Sequence, residues 1–389
     1  MHKLKYVKDG LKVIVSYCIA MILRLFKSNR DIWLIGERKD EARDNGYHLF
    51  KYIRKSHQED KVYYIIDRNS KDLEKVQQFG NIIYSDTFKH YVYYALANKL
   101  VIAHLGSCVP DSPICWKLEG LKIIKHKRVF IQHGITISSN YSLMYDNTKA
   151  DLFICGAKKE YDFVRSKFRY PEGSVKYTGF ARFDNLHDFE VKNQILVMPT
   201  WRQWIPSMTW SSENKEECKR IFLESEYYKN FNELINNNEI NNILEKNDIK
   251  LIFYPHHEMQ RYIELFENNY DRILIARENE FDVQQLLKES KILITDYSSV
   301  AFDFAYMKKP VIYYQFDSDK YYNNHYTKGY FDYEKYGFGP VVDNLNELIC
   351  KLKEYVDIEN KSYLSRIEKF FLLHDLDNSY RIYEEIRKI

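Results

Sequence analysis

The stretch Ile292–Phe316, ILITDYSSVAFDFAYMKKPVIYYQF, predicts a strand, a polar turn, a short helix and a second strand. The helix is expected over Ser299–Met307 and to end before Pro310, because proline lacks the N–H that continues a helix and restricts the residue before it. The two flanking runs are too apolar for a surface. Two buried strands joined through a helix form a right-handed parallel unit. The stretch therefore predicts an α/β fold with a parallel sheet.

The turn between that strand and helix carries hydroxyl and carboxyl side chains, from Thr295, Asp296, Ser298 and Ser299. Ligands of parallel sheets bind at this end of the strands, and a helix N-terminus there favours an anion, usually phosphate. Ordinary capping of the helix by Ser298 or Ser299 is the simpler interpretation. The two are compatible, because a cap uses the side chain and phosphate binding uses free N–H groups. We therefore expect a phosphate site at this turn.

A further carboxylate, Asp303, lies about one helical turn beyond Ser299 and on the same side. Two carboxylates beside a phosphate would repel it. Either Asp296 or Asp303 is therefore expected to bind the hydroxyl groups of a ribose or polyol, or to orient a histidine. The sequence alone leaves this choice open.

Strands and helices alternate along the 389-residue chain in two series, which predicts two domains. Segment 1–30 stands apart, residues 31–188 form a first Rossmann-like domain, and residues 189–389 form a second. Two such domains with a cleft between them are typical of transferases that use nucleotide-activated donors. The chain has no GxGxxG after its first strand and no GxxxxGKS/T, which argues against a dinucleotide oxidoreductase and a P-loop ATPase.

Composition narrows the classes of function. With 45% hydrophobic and 29% charged residues, the chain is globular rather than disordered. A net charge of +3 is too small to indicate a nucleic-acid partner. The six cysteines show no paired metal-ligand spacing, which is typical of free thiols in a reducing cytosol. We expect no metal, no cofactor and no nucleic acid.

The N-terminal segment 1–30 is basic, then apolar, then basic. Lysines at positions 3, 5, 8 and 12 precede the apolar run Val13–Leu23, and basic residues follow at 24, 27 and 30. The run is shorter than the roughly 20 residues of a membrane span. A helix in the membrane interface, with lysines on anionic headgroups, and an ordinary first helix packed on its sheet both fit the pattern. The first interpretation predicts a peripheral protein at the cytoplasmic face of the membrane.

Histidines stand where predicted strands end. His133 and Gly134 follow the strand RVFIQ, so His133 is placed to take a proton from an acceptor hydroxyl near neutral pH. Gly134 is expected to let the backbone turn sharply. Capping of the next element is the alternative for His133. His104 ends another strand, where structural packing is the simpler interpretation.

Two further strand ends carry groups suited to a phosphorylated donor. His256 and His257 follow one strand, where one of them is placed to bind a pyrophosphate or neutralise its leaving group, and no third ligand at metal spacing supports a metal pair. Arg202 ends another strand and is expected to fork onto phosphate oxygens, with a salt bridge to a surface carboxylate as the alternative. Arg182, together with Asp184, is either part of a hinge or a phosphate contact.

With these residues placed, the chain resembles a known family, the CDP-glycerol glycerophosphotransferases of wall teichoic acid and capsule synthesis. The matching stretches are DNGYHLFKYI (44–53), QHGIT (132–136), YTGFARFD (177–184), ILVMPTWR (195–202), YPHH (254–257), ITDYSSVAFDFAYMKKPVIYY (294–314) and FGP (338–340). They follow the family's order and span most of the chain. TDYSSVAFDFA is the long and specific match among them.

The resemblance implies a GT-B-type fold of two Rossmann-like domains facing across a cleft, and monotopic membrane association with no metal requirement. It implies transfer of glycerol phosphate or ribitol phosphate from CDP-glycerol or CDP-ribitol to a lipid-linked saccharide or growing polymer, with release of CMP. By position, His133 resembles the family's presumed base and His256 the histidine near the donor phosphates. Ser298 and Ser299 resemble the donor-phosphate contacts.

One stretch departs from the family. The histidine–glycine pair is often followed there by proline and a lysine-bearing segment, whereas this chain has ITISS at 135–139. That segment therefore favours no particular acceptor or polyol. Two other classes of function stay open: a glycosyltransferase that uses a nucleotide sugar on the same fold, and a non-catalytic membrane-bound scaffold. A scaffold is expected to have lost the polar turn or the strand-end histidines, and this chain keeps both.

Overall fold

The structure, a computed structural model, describes residues 2–26, 31–121, 123–206, 214–278, 280–325, 327–357 and 362–389, without the side chains of 2–9 and 357. The basic side chains at positions 3, 5, 8, 27 and 30, predicted to meet headgroups, thus lie outside the description. The chain divides into two compact units. One holds residues 1–135, 141–185 and 373–389, and the other holds residues 136–140 and 186–372.

The first unit contains a sheet whose paired strands all run parallel. Its strands are Ile32–Gly36 (β1), Lys61–Ile66 (β2), Ile82–Tyr84 (β3), Lys99–Ile102 (β4), Lys127–Phe130 (β5), Leu152–Cys155 (β6) and Val175–Tyr177 (β7). In the described residues their spatial order is β3-β2-β1-β4-β5-β6-β7. The strands β1, β4 and β6 are buried along their whole length, as expected when helices cover both faces of a parallel sheet.

Helices connect these strands. They are His2–Leu23 (α1), Asn45–Ser56 (α2), Leu73–Gln77 (α3), Phe88–Leu96 (α4), Pro113–Gly120 (α5), Tyr145–Thr148 (α6) and Lys158–Lys167 (α7). Short 3₁₀ turns lie at Tyr141–Leu143 and Ala181–Asn185. The side chain of Thr87 accepts from the N–H of His90 at the start of α4, which shows why that helix begins where it does.

The helix α1 has one packed face and one exposed apolar face. Val13 and Ala20 are buried, and Lys12 donates to the carbonyl of Asp86 at 2.7 Å. Arg24 donates to the carbonyl of Ala95 at the end of α4. The outward side carries large exposed apolar residues, at Leu11, Ile14, Val15, Met21 and Ile22. Within the described residues, no helix combines the length and apolar character that crossing a membrane would need.

The second unit contains a second parallel sheet. Its strands are Gln194–Val197 (β8), Lys250–Phe253 (β9), Ile273–Ile275 (β10), Ile292–Thr295 (β11), Val311–Tyr314 (β12) and Val341–Val342 (β13). Over the described part of the chain they lie in the order β10-β9-β8-β11-β12-β13. The order changes direction between β8 and β11, which is where open α/β sheets bind their ligands.

The remaining helices follow these strands. They are Lys215–Glu224 (α8), Glu226–Ile235 (α9), Asn238–Lys246 (α10), Val283–Glu289 (α11), Val300–Tyr306 (α12), Ser318–Asn324 (α13), Tyr333–Tyr336 (α14), Leu345–Asp357 (α15), Leu364–Phe370 (α16) and Asn378–Arg387 (α17). A 3₁₀ segment spans Gln260–Leu265. The apolar faces of α9 and α10 pack into the core beside β8 and β9.

The unit predicted from Ile292–Phe316 is confirmed. The strands β11 and β12 pair in parallel, with Leu293 opposite Val311, and α12 connects them. The ammonium of Lys309 donates to the carbonyls of Leu287, Lys288 and Ser290 at 2.6 to 2.7 Å. These carbonyls lie at the C-terminus of α11, where the helix itself supplies no donors. Lys309 thus fixes the helix before β11 to the connection after α12.

The C-terminal helix α17 belongs to the first unit, whereas the sequence boundaries placed it in the second domain with residues 189–389. The carboxylate of Asp184 accepts from the N–H groups of Asn378 and Ser379 at 3.0 and 2.8 Å, which caps the helix. A Cβ at Gly179 would lie 1.7 Å from Asn378 Oδ1, so the close approach of the helix requires glycine there. The contact joins residues that are far apart in the sequence, so the local sequence pattern does not predict it.

Candidate functional site

Three neighbouring strand ends form the edge of the second sheet that matters for the predicted donor site. The strand β8 lies between β9 and β11, so its end lies between those of the other two strands. The N–H of His256 donates to the carbonyl of Pro199 at 3.1 Å. The hydroxyl of Thr295 donates to the carbonyl of Met198 at 2.7 Å, and the N–H of Thr200 donates to Asp296 at 2.9 Å. The topology therefore brings His256 and the Asp296–Ser299 turn to one sheet edge.

Arg202 lies under this edge rather than on it. The residue is fully buried, and its guanidinium forks onto the carboxylate of Asp317 at 2.7 and 3.1 Å. It also contacts Asp296 at 2.9 Å and donates to the carbonyl of Thr200 at 2.7 Å. Burial opposes its charge, but Asp296 and Asp317 together raise the pKa of Arg202. The predicted fork is present with protein carboxylates as partners, and a direct phosphate contact would require breaking it.

Asp296 is part of the same buried network. Its carboxylate accepts from the N–H groups of Thr200 and Tyr297 at 2.9 and 2.6 Å, in addition to its ion pair with Arg202. Its backbone carbonyl accepts from the amide of Gln315 at 2.9 Å. Asp303, on α12, is also buried, with 8% of its surface exposed. Of the two carboxylates considered for a ligand's hydroxyl groups, Asp296 is committed to holding the turn.

The turn itself presents amide groups at the start of α12. The N–H of Val300 donates to Ser298 Oγ at 3.4 Å, and the Ser299 side chain makes no capping bond. Within the described part of the chain, the N–H groups of Ser298 and Ser299 donate to no protein acceptor. Both residues are partly exposed. Hydroxyl and N–H donors at a helix N-terminus are suited to an anion.

The two histidines after β9 lie side by side. The ring centroids of His256 and His257 are 4.2 Å apart. The N–H of Glu258 donates to His256 Nδ1 at 3.3 Å, which leaves Nε2 as the ring atom that carries the proton of the neutral form. His257 Nε2 lies 3.3 Å from Glu258 Oε1. Among the described residues, no group of three or more histidine, cysteine, aspartate or glutamate side chains is placed to hold a metal ion.

A second set of strand ends lies on the sheet of the first unit. The neighbouring strands β4 and β5 lead into His104 and His133, whose rings stack with centroids 4.6 Å apart. His133 is solvent-exposed. Crowding by the surrounding protein lowers its pKa by desolvation, and the positive charges of Arg182 and Arg38 act in the same direction, whereas Asp44 opposes them. The ring is therefore poised to stay neutral, and so able to accept a proton, below its ordinary pKa.

The loop that carries His133 is held from three sides. Gln132 has a positive φ of 58°, so the left-handed residue of this turn is Gln132, although the sharp turn was expected at Gly134. The buried amide of Gln132 donates to the carbonyl of Ile154 at 2.6 Å and to Glu160 at 3.1 Å. The amide of Asn45 donates to the carbonyl of Gln132 at 2.9 Å. A strained backbone held this firmly fixes the direction of the following histidine.

Arg182 completes that support. Its guanidinium lies 2.8 Å from Asp44 and donates to the carbonyl of His133 at 3.2 Å. Its own N–H donates to the side chain of Asn45 at 3.2 Å. Asp184, paired with Arg182 in the sequence prediction, instead caps α17. The sequence predicted that Arg182 is either part of a hinge or a phosphate contact. The structure adds a third role for Arg182, which is to support the loop of His133.

Several residues of these sites were missed by sequence reasoning. They are Asn45, Gln132, Asp317 and Glu37, whose carboxylate accepts from the N–H groups of Arg43, Asp44 and Tyr47 at the start of α2. Asn45 and Gln132 lie within the matching stretches DNGYHLFKYI and QHGIT. The family motifs therefore included both residues, although the sequence alone assigned no role to either. Glu37 and Asp317 follow buried strands. A charged residue that follows a buried strand often indicates a functional position, and this pattern could have identified both residues.

Comparisons with curated proteins find relatives of teichoic acid synthesis. The chain is 33% identical over 383 residues to the minor teichoic acid biosynthesis protein GgaB of Bacillus subtilis (strain 168), covering 97% of this chain and 42% of that protein. It is 40% identical over 110 residues to the teichoic acid glycerol-phosphate transferase of Staphylococcus aureus (strain NCTC 8325 / PS 47), covering 28% of each. The matched segments thus cover less than half the length of each of these two relatives.

Solved structures share the fold. The wall teichoic acid polymerase TagF superposes with a TM-score of 0.66 at 17% identity, over 99% of this chain and 97% of that chain. The Staphylococcus aureus MnaA–UDP co-structure gives 0.57 at 14% identity, over 92% and 96%. The predicted GT-B-type α/β fold with two Rossmann-like units is confirmed.

The family model described as CDP-Glycerol:Poly(glycerophosphate) glycerophosphotransferase matches residues 17–388. That match includes both sheets, the loop of His133 and the turn of Ser298 and Ser299, so the chain belongs to the CDP-glycerol:poly(glycerophosphate) glycerophosphotransferase family.

Proposed function

We propose that this chain transfers glycerol phosphate or ribitol phosphate from a CDP-polyol to a lipid-linked saccharide or to a growing teichoic-acid or capsule polymer, releasing CMP. The observation that carries the proposal is the Ser298–Ser299 turn, whose N–H groups donate to no protein acceptor in the described residues. Family membership supports the same reaction. Relatives are named for glycerol-phosphate and ribitol-phosphate polymers, which supports both donors as candidates.

In the second unit, we assign the donor phosphates to this turn. The N–H groups and hydroxyls of Ser298 and Ser299 bind phosphate oxygens, and His256 at the same sheet edge balances the charge of the departing CMP. Arg202 acts through Asp296 by holding the turn, since its own donors are used inside the protein. Asp303 binds hydroxyl groups of the ribose or the polyol. Phosphoryl transfer mainly requires that the reactants are positioned and that the developing charge is stabilised. The N–H, hydroxyl and imidazole groups of this site can supply both.

In the first unit, we assign the acceptor hydroxyl to His133. The acceptor oxygen forms a bond to the β-phosphorus of the CDP-polyol as the bond from that phosphorus to its bridging oxygen breaks. CMP leaves with the electron pair, and the hydroxyl proton passes to the imidazole of His133. The lowered pKa of His133 keeps the ring neutral and able to accept it.

The exposed apolar face of α1 gives the proposed route to the membrane. A helix with one face packed on the protein and the other apolar lies naturally in the interface of a bilayer. We propose that it places the chain on the cytoplasmic face, where lipid-linked acceptors are bound. Both sequence interpretations of segment 1–30 are then combined, because the helix packs on its domain and still offers Ile14 and Ile22 to lipid.

The donor class is tested by incubating the protein with CDP-glycerol, CDP-ribitol or a UDP-sugar and a lipid-linked disaccharide. We expect CMP release and product masses that increase by polyol-phosphate units. Mass spectrometry of the product identifies the donor, the number of units transferred and the acceptor in one measurement. Release of UDP and addition of a sugar would instead identify a glycosyltransferase. A scaffold would release neither nucleotide.

Replacing the proposed base, His133→Ala, is expected to lower turnover by roughly 10²- to 10⁴-fold, the usual contribution of general base catalysis. Binding of the CDP-polyol, measured by calorimetry, should stay within about two-fold of wild type by the same reasoning, because His133 meets the acceptor. His374→Ala, at an exposed position of the first unit, is the matched control. For the wild type, the acid limb of kcat/KM should lie below the ordinary histidine value of about 6.5. Near wild-type turnover in His133→Ala would remove the assignment.

Membrane binding is tested by flotation with anionic liposomes. The double substitution Ile14→Ser and Ile22→Ser changes exposed positions of α1, so the fold should persist while flotation falls. The pair Val191→Ser and Leu274→Ser, exposed apolar residues of the second unit, is the control. Equal flotation of both double variants and the wild type would show that α1 is not the anchor.

A further inference from the structure

The first unit holds a cavity of about 220 Å³ beside the stacked histidines. The segments that follow β1 and β4 form most of its wall, so it lies at the carboxyl edge of the sheet. From the first come Arg38 and Lys39, and from the second His104 and Gly106. The mechanism assigned above does not use this space.

The cavity opens next to the proposed base. His104 lines it, and the ring of His104 stacks on that of His133 at 4.6 Å. Arg38 is close enough to His133 to lower its pKa. A group bound in the cavity would therefore lie one ring away from the place where the acceptor loses its proton.

The charges around the cavity favour an anion. Arg38 contacts Glu41 at 3.3 Å, and 45% of its side chain stays exposed. Lys39 adds a second positive charge, paired with Asp86 at 2.7 Å. Burial and the neighbouring Asp44 raise the pKa of Glu37 to about 8. The carboxylate of Glu37 is turned to the N-terminus of α2, where it accepts from the N–H groups of Arg43, Asp44 and Tyr47. Arg38 is thus the cation best placed to meet a ligand.

The wall of the cavity is firmly built. Cys108 has a positive φ of 66°, unusual for a residue with a side chain. His90, whose pKa is lowered to about 4 by burial, keeps its ring neutral and lies 3.0 Å from the carbonyl of Cys108. The hydroxyl of Ser107 donates to the carbonyl of Glu37 at 2.7 Å. Strained backbone held by such buried bonds is typical of a ligand-binding wall.

We propose that this cavity binds the terminal polyol-phosphate unit of the acceptor, with Arg38 against its phosphate and its free hydroxyl end at His104 and His133. This inference rests on the proposed function, since it names where that acceptor is held. A backbone phosphate site is closed here, because the Glu37 carboxylate already accepts from the N–H groups of Asp44 and Tyr47 at the N-terminus of α2. The phosphate must then be met by side chains.

The test compares two acceptors at pH 8, where His133 is neutral in every variant. One acceptor ends in a polyol-phosphate unit, and the other is the lipid-linked disaccharide without it. Arg38→Gln is expected to raise KM for the first acceptor about ten-fold or more, the cost of one charged hydrogen bond. KM for the second acceptor and for the CDP-polyol should stay unchanged. Arg165→Gln, exposed on α7, is the matched control.

A steric variant tests the same cavity without touching a charge. A Cβ at Gly106 meets no atom within 4 Å, so Gly106→Leu should fold normally and fill the space. It is expected to raise KM for the phosphate-terminated acceptor in the same way. Gly120→Leu has equally open surroundings at the end of α5 and serves as its control.

The inference is overturned if Arg38→Gln weakens both acceptors equally, if it weakens the donor, or if neither variant changes acceptor KM. Calorimetry with a short polyol-phosphate oligomer measures binding to the cavity separately from the transfer reaction. If the wild type transfers nothing but binds the oligomer, and Arg38→Gln and Gly106→Leu do not, the proposed function fails and the cavity assignment stands. If the variants bind as the wild type does, or the wild type does not bind, the cavity assignment fails.

Discussion

The second unit depends on one buried guanidinium between two carboxylates. Arg202, Asp296 and Asp317 lie in the segments that follow the neighbouring strands β8, β11 and β12, so their contacts join these three segments at one edge of the sheet. Burying three charges is costly and is repaid only when every donor and acceptor has a partner. The bidentate fork, the Thr200 carbonyl and the N–H donors to Asp296 supply most of those partners. Asp296 Oδ2 makes no hydrogen bond and has the ion pair with Arg202 at 2.9 Å as its contact. These ion pairs and hydrogen bonds therefore hold the Ser298–Ser299 turn in place.

The two units handle an anion site at a helix N-terminus in opposite ways. In the first unit the carboxylate of Glu37 occupies the N-terminus of α2 and accepts its N–H groups. In the second unit the corresponding groups at Ser298 and Ser299 donate to no protein acceptor within the described residues. An internal carboxylate thus excludes phosphate from one site while the other stays available. Under the proposed function, this difference gives a physical reason to assign the phosphates of the donor to the second unit and the acceptor to the first.

Local pattern predicted much of this molecule, because strand, turn and helix follow from neighbouring residues. The Ile292–Phe316 unit, the strand-end histidines and the alternation of strands and helices were all predicted from the sequence. The burial of Arg202 was not, since its partner Asp317 lies 115 positions away and only the strand order brings them together. The same holds for α17, whose cap at Asp184 is 194 positions from Asn378. Long-range ion pairs and caps depend on topology, which no short window contains.

We propose that Arg202 holds the Ser298–Ser299 turn in place through Asp296 and does not itself contact the donor. Hydrogen–deuterium exchange of residues 295–303 in ligand-free protein, compared between wild type and Arg202→Lys, tests it most directly. Lysine keeps the charge but loses the fork. We expect exchange in this segment to be clearly faster in the variant than in the wild type before any donor is added. Unchanged exchange together with lost CDP-glycerol binding would contradict it, because that result would place Arg202 on the phosphates.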